Sequence, residues 1–149
     1  MEINSNAPVI SSHEITISAP LESVWRVHTE IDSWPQWNPD IAKAHPSGPI
    51  AVGTVFRWET AGMEIPSTIG EVVPLKKLAW SGETGGILGI HVWNLDNRRR
   101  HTGSYRGILG GTFTSRTSQR NPRSVRHLSR SMAFVAKGSR GSVINLREL

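Results

Sequence analysis

The sequence predicts an α+β fold, on three observations. A strand-period segment near the N-terminus passes directly into a helix-period segment. A series of short alternating segments follows, separated by tight-turn residues, as in an antiparallel meander. No strand–helix–strand alternation recurs after the first helix, which argues against a doubly wound nucleotide-binding sheet.

The elements can be justified in order. His13-Glu-Ile-Thr-Ile-Ser18 alternates, with Ile15 and Ile17 on one face, and predicts a half-buried strand. Leu21, Val24, Trp25 and His28 then recur at helical spacing. Pro20 suits the first turn of that helix, with Ser18 or Ala19 near the cap. Pro35 and Pro39 limit Ile31–Asp40 to a short helical turn and a loop. Strand-like runs follow at Ile41–His45, Gly53–Thr60, Glu64–Val73, Lys77–Gly82 and Ile87–Asp96. Their turn signals are Val52-Gly53, Ala61-Gly62, Pro74-Leu-Lys-Lys77 and Gly85-Gly86. Alternation sets Phe56 and Trp58 opposite Val55, Arg57 and Glu59. It also sets His91, Trp93 and Leu95 opposite Ile90 and Val92.

Composition excludes several function classes. The chain has 149 residues and no cysteine, so disulfides, thiolate metal sites and a Cys nucleophile are ruled out. The six histidines show no metal-ligand spacing, and no metal or cofactor is expected. No apolar run is long enough to span a membrane, and residues 1–10 lack the basic and apolar regions of a signal peptide. A cytoplasmic location is the expectation. Gly82–Gly89 is glycine-rich, but no Lys-Ser/Thr follows, so it reads as a flexible hairpin and not a phosphate loop. No nucleophile-elbow serine is found.

The charge is unevenly distributed. Residues 1–96 hold eleven acidic and five basic residues, a net charge of −6, and all six tryptophans. Residues 97–149 hold twelve basic residues and one acid, a net charge of +11. Such an asymmetry points to a nucleic-acid or membrane arm.

Several phrases in the first part, taken in order, resemble the SRPBCC superfamily, specifically the START-like polyketide cyclase/dehydrase branch. They are Ile17-Ser-Ala-Pro-Leu-Glu-Ser-Val-Trp25, Asp32-Ser-Trp-Pro-Gln-Trp-Asn-Pro39, Gly53-Thr-Val-Phe-Arg-Trp58, Glu71-Val-Val-Pro74 with Leu78-Ala-Trp80, and His91-Val-Trp93. The resemblance covers residues 9–96. It implies a helix-grip fold, in which a curved antiparallel sheet wraps a long C-terminal helix around an apolar cavity. It also implies a small hydrophobic or lipid-like ligand. Some members cyclise or dehydrate polyketides, while many only bind or carry hydrophobic molecules. Binding without catalysis is therefore placed ahead of enzyme activity, since fold alone does not fix function.

Residues 97–149 depart from the family pattern. They are rich in Arg, Ser and Gly and carry no sustained helical period, so the long helix is expected to be missing or poorly formed. The leading account is a shift of reading frame. Codons compatible with Arg98–Gly111, read from their second nucleotide, give Asp-Gly-Gly-Thr-Arg-Val-Ala-Thr-Glu-Glu-Ser-Trp-Glu, the turn and strand that the resemblance implies. The rivals are a genuine basic arm that neutralises phosphates, making nucleic acid a partner, and a divergent helix. The chain is thus read as a START-like domain at 9–96 and a basic tail at 97–149, disordered or non-native. Loss of about 500 Å² of apolar burial forfeits on the order of 12 kcal/mol at about 25 cal/mol/Å². Domain stability is about 5–15 kcal/mol, so marginal stability or a homodimer that covers the sheet is expected.

Candidate site residues follow from these placements. His91 beside Trp93 is the candidate acid or base, against the alternative of a hydrogen-bonded strand histidine. Arg57 is the candidate partner of a ligand oxygen, against a surface pair with Glu59, Glu64 or Glu71. Trp58, Trp80, Trp93 and Trp25 are the candidate ligand-binding aromatics, against plain core packing. Trp34 and Trp37 are expected to staple the loop near the cavity mouth. His28, at the end of the helical face, is a candidate cation at the helix C-terminus.

Overall fold

In a computed structural model of the chain, the described residues are 1–3, 5–7, 9–17, 19–96, 105–115 and 143–144. Strand β1 (Val9–Ile17) leads into α1 (Leu21–Thr29), a 3-10 turn (Ile31–Ser33) and the short α2 (Trp34–Trp37). Strands β2 (Ile41–Pro46), β3 (Val55–Thr60), β4 (Met63–Val73), β5 (Lys77–Thr84) and β6 (Ile87–Asp96) then form a meander. Strands β7 (Tyr105–Ser115) and β8 (Val143–Ile144) complete a curved open sheet in the order β2-β3-β4-β5-β6-β7-β1-β8. All pairings are antiparallel except β1 with β8. This is the α+β, helix-grip-like architecture that the pattern predicts, and among the described residues no long C-terminal helix follows the sheet.

The turns explain why the meander keeps its register. Ala61 and Gly62 have φ of 51° and 73°, and Gly85 and Gly86 have φ of 57° and 77°. Two consecutive positive-φ residues make the type I′ turn whose twist matches the flanking strands. The segment expected to be a flexible glycine hairpin is thus a two-residue turn with paired strands running up to it on both sides. The β4–β5 register slips between Ile69 and Glu71, a bulge centred on Gly70 that bends the sheet. A second slip lies between Ile41 and Lys43 in β2.

The helical insertion begins without a side-chain cap, because Pro20 occupies the N-cap with ψ of 141°. Pro35 enters the first turn of α2, where its missing N–H costs nothing. The core forms between these short helices and one face of the sheet. It joins Ile31 and Trp34 to Phe56, Trp58, Ile65, Ile69, Leu78, Trp80 and Trp93. Trp34 is almost fully buried, and its Nε1 donates to the carbonyl of His28 at 3.1 Å. Its ring meets Phe56 edge-on and Trp80 at a tilt, so it ties α1 into the centre of the core and does not sit at a cavity mouth.

Residues 105–115 pair along their length with both β6 and β1. Backbone ladder bonds need only extended chain between two open edges, so a segment without helical period can still complete a sheet. The rest of 97–149, apart from β8, lies outside the described residues. The expectations of a disordered tail, a basic arm and a shifted frame fall largely there.

Candidate functional site

The inner face of the sheet carries a shallow recess, open in part to solvent, lined by Trp58, Ile65, Gly82, Thr84, Ile87, Gly89 and His91. Its floor is the cross-strand pair Gly82–Gly89, which sets bare backbone between aromatic and aliphatic walls. Gly82 is required there for a further reason. A Cβ at this position would collide with Ser67 Oγ and stand 2.9 Å from both Ile65 Cγ2 and the Pro66 carbonyl. Ser67 Oγ in turn accepts a 3.0 Å hydrogen bond from Trp58 Nε1, which fixes the indole along the wall. The Trp58 ring meets His91 edge-on, with centroids 6.0 Å apart.

His91 is stacked on Trp80 at 5.2 Å and is 4% exposed. Burial pushes its pKa down to about 4, so the imidazole is neutral at pH 7. His28 from α1 also approaches Trp80, with its ring 5.8 Å from Trp80 and 4.1 Å from Trp93. Desolvation lowers its pKa to about 3. The candidate cation at the helix C-terminus is therefore a neutral core histidine. Its side chain points into the sheet, and an aromatic enclosure cannot solvate a charge.

Four buried nitrogens in this region have no hydrogen-bond partner: His28 Nε2, Trp37 Nε1, Trp80 Nε1 and Trp93 Nε1. A buried, unpaired donor or acceptor costs about 1–3 kcal/mol. The helix spacing placed His28 in line with Leu21, Val24 and Trp25 but did not reveal what it would meet. That it is the one fully buried residue of α1 emerges only from tertiary packing.

The other candidates divide clearly. Trp58 and His91 line the recess. Trp80 and Trp93 stack on each other at 6.1 Å beneath it, while Trp25 is partly buried against the core. Arg57 lies apart from them. It is on the outer face, where it pairs with Glu64 at 3.0 Å, both side chains being well exposed. This is the cross-strand pair weighed as its alternative: Arg57 sits between Phe56 and Trp58, both buried on the opposite face. No group of three or more His, Cys, Asp or Glu able to hold a metal is found among the described residues. No described helix is long and apolar enough to cross a membrane.

With this geometry in place, comparison with known proteins is informative. The family described as polyketide cyclase/dehydrase and lipid transport matches residues 8–95. The chain belongs to this family. Members of the polyketide cyclase/dehydrase and lipid transport family need not share a ligand, and the solved structures similar to this one speak to the fold alone. A hypothetical protein from Helicobacter pylori aligns with a TM-score of 0.68 at 14% identity, covering 86% of this chain and 84% of its own. A START superfamily protein from Mycobacterium smegmatis aligns at 0.63 and 11% identity, over 85% and 96% of the two chains. The di-domain ARO/CYC protein BexL aligns at 0.60 and 18% identity, over 83% of this chain and 43% of its own. No curated protein matches the sequence.

Proposed function

We propose that this protein binds a small hydrophobic ligand against the inner face of its sheet. The observation that carries this reading is the recess over the Gly82–Gly89 rung, walled by Trp58, Ile65, Ile87 and His91. A concave, mostly apolar site with few polar groups is the usual form of a small-molecule site. Family membership supports it, since the family description includes lipid transport. Titration of the full chain with 1-anilinonaphthalene-8-sulfonate, read by tryptophan quenching and probe emission, tests it. Saturable binding weakened by Trp58→Ala is expected. Linear, unsaturable quenching, or binding unaffected by Trp58→Ala, would sink the reading.

A second reading, cyclase/dehydrase-like catalysis, is favoured by one feature. His91 is an ionisable group lining the recess and is neutral at pH 7, although burial makes it a weaker base than a free imidazole. Turnover of a poly-β-ketone that disappears in His91→Ala, with probe binding retained, would support it. Turnover that survives the substitution removes His91 from the account.

A further inference from the structure

We propose that the indole N–H groups of Trp80 and Trp93, together with Nε2 of His28, form a subsite between α1 and the sheet for a neutral oxygen acceptor of the ligand, such as a ketone carbonyl. The inference deepens the ligand-binding reading and rests on it.

The fold satisfies the neighbouring indoles itself. Trp58 Nε1 donates to Ser67 Oγ and Trp34 Nε1 to the carbonyl of His28. Trp80 and Trp93, in the same core, receive no acceptor, and neither does His28 Nε2. Their rings lie in contact, with centroids 4.1 Å apart for His28–Trp93, 5.8 Å for His28–Trp80 and 6.1 Å for Trp80–Trp93. An indole nitrogen can only donate, so two of the three positions require an acceptor, while a neutral imidazole nitrogen adapts by tautomer. A carbonyl oxygen has two lone pairs and matches two donors. A carboxylate fits less well, because no lysine or arginine is buried among the described residues and the charge would be buried unpaired. The site lies beneath α1, which buries only His28 among its nine residues. Trp25 of the same helix is partly buried against the core, so α1 must shift to admit a ligand.

The test compares 1-tetralone with tetralin, which share a skeleton and differ in one carbonyl. Binding to the full, ¹⁵N-labelled chain is followed at the six indole N–H resonances, assigned by Trp→Phe substitution. Tetralone is expected to bind about tenfold more tightly than tetralin and to move the Trp80 and Trp93 resonances downfield. Trp80→Phe and Trp93→Phe should each weaken tetralone about fivefold and leave tetralin within about twofold. Equal affinity for the two compounds, or shifts confined to Trp58, overturns the subsite and leaves ligand binding standing. Binding of neither compound overturns both. Cross-relaxation from a resident water to the Trp80 and Trp93 protons in the free protein, undisturbed by tetralone, also overturns it. The wild-type resonances keep the proposal falsifiable if a Trp→Phe variant does not fold.

Discussion

Acidification should destabilise this protein well above the pH at which its carboxylates titrate. His28 and His91 are neutral in the folded state, with pKa values lowered from 6.5 to about 3 and about 4 by burial. In the unfolded chain both return to about 6.5 and bind protons first. Stability therefore rises with pH through this window and levels off above about 6.5. As pH falls below that value, each histidine costs about 1.4 kcal/mol per unit until its folded pKa is reached. From pH 7 to pH 5 each loses about 2 kcal/mol, so the pair loses about 4 kcal/mol. Glu71, the one carboxylate with a clear shift among the described residues, is held below its usual 4.5 by hydrogen bonds from Lys77 and the N-terminal amine, so its titration falls outside the window. Urea unfolding monitored by tryptophan emission at pH 7, 6 and 5, at fixed ionic strength, gives the slope directly. His28→Phe and His91→Phe should each remove about half of it. A stability that is flat to about 0.5 kcal/mol over this range would refute the placement of both imidazoles in the core. An unchanged slope in one variant would refute that histidine alone.

Three other substitutions and one sequencing experiment test separate parts of the protein. Gly82→Ala should destabilise the fold by about 1–3 kcal/mol by overpacking against Ser67 and Pro66, measured by urea unfolding, and the loss should shrink in the Ser67→Ala background. Ala61→Asn should raise stability by about 0.5 kcal/mol, because Ala61 holds a φ of 51° that asparagine adopts more readily. Arg57→Ala should change stability by less than about 1 kcal/mol and leave probe affinity unchanged, since its pair with Glu64 is exposed and on the outer face. Sequencing the coding DNA around codons 94–100 should reveal a missing or extra base. A confirmed frame would make the basic tail genuine, and salt-sensitive nucleic-acid binding by the full chain would then be expected.

Most of the framework was legible because short-range rules decide it. The turns at Ala61-Gly62 and Gly85-Gly86 are set by which residues tolerate positive φ. Period-2 alternation separated Phe56 and Trp58 from Arg57, and the exposed Arg57–Glu64 pair is the result. What alternation cannot supply is the identity of the face that the helices cover. That information was needed to place Arg57 on the face away from the recess.

The candidate site was only half legible for the same reason. His91 could be proposed because its own strand places it beside Trp93. His28 could not, because its character depends on strands that are distant in sequence. A histidine near a helix C-terminus is favoured as a cation when exposed, yet packing against Trp80 and Trp93 makes it neutral. Desolvation outweighs the helix dipole here, since the dipole is worth about 0.3–1 kcal/mol at an exposed site and each unit of pKa lowering costs about 1.4 kcal/mol. Strand β7 eluded the pattern in a different way. Its sequence, Tyr105-Arg-Gly-Ile-Leu-Gly-Gly-Thr-Phe-Thr-Ser115, carries three glycines and no clean alternation, so its pairing follows from the edges that β1 and β6 offer. A strand recruited by its neighbours' unpaired backbone leaves little trace in side-chain periodicity, because the bonds that hold it are common to every residue.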